Sequence, residues 1–432
     1  MQQYHPDVEQ LTTPRGVSLW LMESHDLPMV NVDVSLRAGS MFEPGDKRGL
    51  AQLTARLLDE GAGDYASKAF KDEVEGIGAR LNVDADVQDI TLRMVMLSEH
   101  KARAFHLLGM AVGSPRFDGE AIGRVRDGML ADIRQGDEDP ATVAWRLFRP
   151  AVFGDHPYAN SGEGTLESVT GLVRADIQAW HAGNFHKSNM MVSVVGDITA
   201  EEAIKLVDDA FGALPAGEVK NAVDVGPGLT VPQVVRSHMD VPQGTVLMGH
   251  LGFSRHDEDY YPMLVMNEIL GGSVLTSRLG LDVREKHGLV YDVRSVNSPL
   301  PHNGMFYVSF ATDNTKVEFA LELVRKHLNR IRDEAVSVEE FEDAKAYLIG
   351  SFPLRMDSNG KLLNMLSLMQ GEDLGVDYLQ EWPRRIAAVT LEDVRRVARR
   401  LIQPGGMVLA VVGRDAGMEG GGDRQGTGGE MA

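Results

Sequence analysis

The sequence predicts an α+β fold made of two homologous α/β halves, an internal duplication. Three observations carry that prediction. The first is a repeat: residues 190–197 read MMVSVVGD and residues 407–414 read MVLAVVGR. Each is a short β-branched run ending near glycine, the pattern of a buried strand entering a turn. Gly196 and Gly413 stand 217 residues apart, half of the 432-residue chain. The second is a shared upstream signal. Val169-Thr170 leads to Asp176-Ile177, and Val389-Thr390 leads to Asp393-Val394, with Thr170 and Thr390 as helix N-caps. The third is the mixed patterning of each half, where period-two stretches alternate with helical ones. Two matches in the same order give halves of about 200 residues, an ordinary domain size.

The elements follow in order. MVNVDVSLRAGS, from Met29, alternates apolar and polar residues and reads as a strand. Residues 49–60 and 67–78 read as helices, and residues 79–97 as two strands around a polar turn. Residues 98–113 and 119–135 read as two further helices. The Pro- and Gly-rich stretch near 213–232 lacks an apolar period and marks the joint. It divides a first half, 1–215, from a linker, 216–232, and a second half, 233–414. There TVLMGHLGF reads as a strand, DYYPMLVMNEILGG as a helix closed by glycine, and NGMFYVSFAT as a strand. The Gly-rich segment 415–432 reads as a flexible tail.

Composition narrows the function. The chain has 43 Lys and Arg against 63 Asp and Glu, a net charge of −20, which disfavours a nucleic-acid backbone as partner. It has no cysteine, which removes disulfides, thiolate metal sites and cysteine nucleophiles. No apolar run approaches the ~18 residues of a membrane span, and the N-terminal MQQYHPDVEQ shows no signal-peptide pattern. No G-x-S-x-G, P-loop or G-x-G-x-x-G is present. None of the 13 histidines lies three or four residues from another, so no helical histidine metal site is expected.

On a helix over 50–60, Leu50, Leu53, Leu57 and Leu58 form an apolar stripe. Gln52, Ala55 and Arg56 share another face, the geometry used by the inverted zinc motif H-x-x-E-H. GLAQLTARLLDEGAG resembles the motif helix of the pitrilysin-insulinase zinc peptidases, roughly G-L-A-H-F-L-E-H-M-L-F-x-G. The preceding SLRAGSMFEP resembles the strand and loop that lead into that helix. The flanks match and the chemistry does not. Gln52 stands for the first His, Ala55 for the Glu base and Arg56 for the second His. The position of the family's third ligand, a downstream Glu, falls at Asp132. A permanently charged guanidinium would repel a dication, so no metal is expected in this chain.

A second block, GGSVLTSRLGLDVREKHGLVYDVRS at 271–295, resembles the family's other signature: S-R-L, then Arg284, then G-L-x-Y ending at Tyr291. The resemblance spans about residues 10–414. It implies, for each half, a mainly antiparallel sheet with helices packed on one face. It also implies that Arg284 and Tyr291 bind the substrate backbone beside the scissile bond. Attack on a peptide carbonyl builds negative charge on oxygen, which a Tyr hydroxyl and an Arg can stabilise. On residue types alone, Arg284 pairing with Glu285 or Asp282 is the plainer account. Some bacterial enzymes of the family divide the two motifs between subunits. This chain has the second pattern. The resemblance implies a non-catalytic subunit of a heterodimeric zinc peptidase, with no cofactor of its own and zinc in the H-x-x-E-H partner. Its substrate would be a peptide or unfolded protein held as an added strand. The alternative is an inert scaffold or binding subunit. A docking subunit of the processing-peptidase kind would need a longer Gly-rich loop before S-R-L. The missing cysteine and the resemblance to exported pairs favour the periplasm over the cytoplasm.

Overall fold

The computed structural model describes residues 7–221 and 231–414. Most of the expected linker, 222–230, and the expected tail, 415–432, lie outside the described residues. Two sheets dominate. The first orders its strands Glu9–Thr12, Ser18–Glu23, Met190–Gly196, Met29–Leu36, Ile90–Leu97 and Arg80–Ala85. The second orders Val290–Pro299, Gly304–Asp313, Gln243–Gly252, Val408–Gly413 and Val234–His238. With the extra edge strand Glu9–Thr12 of the first sheet set aside, and read from opposite ends, the two five-strand topologies coincide. In each half a long central strand runs antiparallel to both neighbours. Val32 lies between Met94 and Val194, as Val246 lies between Phe310 and Val411. In each, the C-terminal strand also takes one parallel neighbour, Ser18–Glu23 or Val234–His238.

The repeated glycines have a steric reason. A Cβ on Gly196, which has φ +138°, would meet Met29 O at 2.2 Å. A Cβ on Gly413 would meet Asn314 Oδ1 at 2.4 Å. At Gly196 the backbone oxygen leaves no room for any other residue, and at Gly413 a side chain would have to displace Asn314 and press on Gly244 Cα, 2.9 Å away.

The faces of the sheets alternate as period two requires. Leu19, Leu21, Val30, Val32, Val192 and Val194 face helices of the first half. Val246, Met248, Phe306, Val308, Leu409 and Val411 face helices of the second half. The opposite faces are covered by exchange. Helix Asn359–Gly371, from the second half, packs Leu362, Leu363 and Leu366 in one cluster with Trp20, Met22 and Val195 of the first sheet. Helix Pro140–Phe153, from the first half, packs Ala144, Phe148 and Val152 against Leu247, Val408, Ala410 and Val412 of the second. Polar contacts fix the first of these helices: Gln370 bonds Ser193 Oγ at 2.9 Å and Ser18 Oγ at 3.2 Å, and Arg37 donates to Gly371 O at 2.7 Å.

Two local expectations differ from the structure. The helix expected over 49–60 is α-helical only at Leu50–Ala55. Leu57 and Leu58 then donate to carbonyls three residues back, Thr54 and Ala55, and the chain enters the short strand Gly61–Ala62. The leucine stripe stays buried through this tighter turn, so its spacing did not reveal the change. Thr390 caps helix Leu391–Leu401 through Asp393 N, as expected. Thr170 caps nothing: it ends helix Leu166–Gly171, and its hydroxyl donates back to Leu166 O at 2.6 Å. Thr165 caps that short helix, and the helix through Asp176 begins at Arg174 with Val173 at its N-cap position, its N–H donating to Asp176 Oδ2 at 2.9 Å.

Candidate functional site

Helix Leu50–Ala55 starts at Gly49, which has φ +90° and no side-chain cap of its own. Glu43 serves instead, accepting from Gly49 N at 3.1 Å and Ala51 N at 2.7 Å. Burial pushes its carboxyl up to about 7, against the pull of those N–H groups. Glu43 was not singled out in the sequence. The available signal was an acidic residue upstream of a helix that opens on glycine.

The three positions that would carry zinc ligands do converge, and they are occupied by an internal cation. Arg56 Nη1 donates to Asp132 Oδ2 at 2.6 Å. With its oxygen toward Arg56, the Gln52 carboxamide accepts from Arg56 Nε at 3.2 Å and donates to Ala85 O at 3.1 Å. Thus the guanidinium lies between Gln52 and Asp132. Ala55, at the position of the base, is fully buried in the core of the first half. The residues do not fit a zinc ion: the carboxylate at the third-ligand position is already paired with a fixed positive charge, and neither helix position offers a ligand histidine. Among the described residues no three His, Cys, Asp or Glu side chains group as a metal site.

The second block lies on the other sheet. Residues Gly280–Lys286 form a wide, π-type helical segment that carries Arg284. Gly288, at φ +58°, turns the chain into edge strand Val290–Pro299, which carries Tyr291. The structure brings the pair together: the Arg284 guanidinium lies 5.8 Å from the Tyr291 ring centroid. Tyr291 is 88% exposed. Arg284 also bonds Glu285 Oε1 at 2.7 Å, the local pairing that residue types alone suggested. Asp282 anchors the segment. It receives His327 Nε2 at 2.7 Å and lies near Lys326 and Lys286, at 3.3 and 3.4 Å. Burial alone would raise the Asp282 carboxyl, but these donors and charges hold it well below the usual carboxylate range. Arg284 and Tyr291 therefore sit on a held segment at a sheet edge, in a different half from Arg56.

Comparisons with known proteins agree with this architecture. Residues 20–166 match the insulinase family, peptidase family M16, and residues 171–348 match the family described as peptidase M16 inactive domain. A Helicobacter pylori protein named non-peptidase homolog YmxG is 26% identical over 94% of this chain and 93% of its own length. The mitochondrial-processing peptidase subunit beta of Blastocladiella emersonii is 25% identical over 94% of this chain and 89% of its own. A crystal structure titled peptidase M16 inactive domain, from Pseudomonas fluorescens, superposes with a TM-score of 0.90 at 26% identity, covering 95% of this chain and 98% of that one. With its duplicated halves, its altered motif helix and its second-half Arg–Tyr block, the chain belongs to the insulinase-like peptidase family M16.

Proposed function

We propose that this chain is the non-catalytic subunit of a heterodimeric peptidase and lends Arg284 and Tyr291 in trans to a homologous H-x-x-E-H partner that holds the zinc. One observation carries the reading. The Arg284 guanidinium lies 5.8 Å from the ring of Tyr291 at an outer sheet edge, with Tyr291 88% exposed, while the metal position of the same chain is filled by Arg56. A Tyr this exposed contributes little to the fold, so its role is sought outside the chain. In the same sequence block Leu275 and Leu281 are also more than half exposed, at 59% and 52%. The peptide would lie as an added strand, its carbonyls toward this pair. Tyr291 would then donate from Oη to the oxygen on which negative charge develops. Arg284 would exchange Glu285 for substrate carbonyls.

A second reading, an inert scaffold or binding subunit, is favoured by the Arg284–Glu285 pair, which satisfies the guanidinium without any partner. Peptide cleavage by the chain alone, by an H-x-x-E-H subunit from the same source, and by their mixture separates the two. Activity in the mixture well above the partner alone supports the shared site. Equal activity with and without this chain favours the scaffold, and chelator-sensitive cleavage by this chain alone contradicts both.

A further inference from the structure

Helix Pro140–Phe153 does more than cover the second sheet. Its Trp145, Arg146 and Arg149 line a cavity of about 430 Å³ together with Arg48, the loop Asn160–Thr165 and Glu43, whose carboxyl already caps helix Leu50–Ala55 and is pushed up to about 7 by burial. Arg146 is neutralised, by Asp137 at 2.6 Å and Glu163 at 2.8 Å. Arg149 is not. Its guanidinium lies 5.7 Å from the Trp145 ring centroid and donates to Asn160 O at a long 3.4 Å. No carboxylate among the described residues is within ion-pair distance of it. Burial pulls its pKa down, opposed at longer range by Glu163, so the charge has lost water without gaining an acid.

The loop supplies matching donors. Gly162 and Gly164 have φ +81° and +78°, while Ser161 and Glu163 between and before them keep ordinary negative φ. Alternation of this kind aims successive N–H groups into one concavity, a nest that suits anions. The N–H groups of residues 161–164 meet no acceptor among the described residues. In a chain of net charge −20, a guanidinium left without an acid at the wall of a cavity calls for a ligand.

We propose that this cavity binds a small oxyanion, a carboxylate or phosphate group, between the Arg149 guanidinium and the N–H groups of loop 161–164. The guanidinium fork takes two oxygens of either group, and the loop takes the others. The site is separate from the Arg284–Tyr291 pair and does not depend on the proposed function.

The test is calorimetric titration of the full chain with inorganic phosphate and, in a second arm, with acetate, in buffer free of other oxyanions. Saturable binding of at least one is expected, and the arm that binds names the anion class. Arg149→Met keeps an unbranched stem against Trp145 and should weaken binding by about tenfold or more. Arg399→Met, on an exposed face of helix Leu391–Leu401, should leave it unchanged. If circular dichroism shows that Arg149→Met does not fold, Gly162→Ala, which strains the left-handed loop position, carries the same expectation. Absence of saturable binding in both arms, or unchanged affinity in the folded cavity variant, overturns the proposal.

Discussion

The guanidinium at the old metal position makes a measurable claim about charge. Arg56 Nη1 and Asp132 Oδ2 are 2.6 Å apart, but their side chains are 38% and 58% exposed. Two unit charges at about 4 Å attract by about 1 kcal/mol in water and about 4 kcal/mol at an effective dielectric constant near 20. Exposure above one third on both sides puts this pair at the screened end, and ordering two long side chains offsets part of the gain. The expected coupling is therefore about 0.5–1 kcal/mol. A double-mutant cycle of Arg56→Ala, Asp132→Ala and the double variant, read by urea unfolding, measures it. In 1 M salt, where the screening length falls to about 3 Å, the coupling should largely vanish. Zinc added to the wild-type chain should leave Tm unchanged, because Arg56 already holds the one carboxylate. A coupling above about 3 kcal/mol that persists in salt would refute the reasoning, since it would mean a desolvated pair. A zinc-dependent rise in Tm that Asp132→Ala abolishes would refute it from the other side.

Three further outcomes follow from the geometry. Leu366 is fully buried where the exchanged helix meets Trp20, Met22 and Val195, so Leu366→Ala should cost about 2–5 kcal/mol in denaturant unfolding. Because that helix joins the halves, both should lose stability in one transition. Asp282 has a depressed pKa in the folded state, so its contribution is present above the unfolded carboxylate pKa, about 3.9, and is lost as pH falls below it. Wild type should therefore lose Tm relative to Asp282→Asn between about pH 5 and pH 2, and parallel profiles would count against the anchor. Tyr291→Phe removes a hydroxyl from an exposed ring, so unfolding free energy should change by less than about 0.5 kcal/mol. In the mixture with the partner it should lower kcat by about 100-fold or more if Oη meets the developing oxyanion.

The duplicated fold was legible because the repeat carries its own steric signature. Gly196 and Gly413 end equivalent strands where a side chain would collide with neighbouring oxygens, and the β-branched runs before them are buried in both sheets. The exchange of helices was not legible. An apolar period says that Leu362, Leu366, Phe148 and Val152 face something, but it does not say which sheet. At the altered motif, residue identities showed that ligands were missing. They did not show that Arg56 would turn to Asp132 and Gln52, which depends on a contact across 76 residues of chain. Thr170 and Thr390 looked alike in sequence. They diverge because the first-half helix that runs through Asp176 begins at Arg174, with Val173 at its N-cap position donating to Asp176, which leaves Thr170 in the last turn of the short helix before it. Arg149 gave no sequence signal, since an unneutralised guanidinium is defined by the absence of acids around it in space.

The most direct test of the account is the activity of the zinc-bearing partner mixed with wild-type chain and with Arg284→Ala. Arg284 is bonded to Glu285 beside it and stacked near Tyr291, so its loss should leave the fold and the heterodimer intact. The account predicts that kcat/KM for a peptide falls at least about tenfold with Arg284→Ala while the complex still forms by size-exclusion chromatography. An unchanged kcat/KM in an intact complex would contradict it and leave the chain as a scaffold.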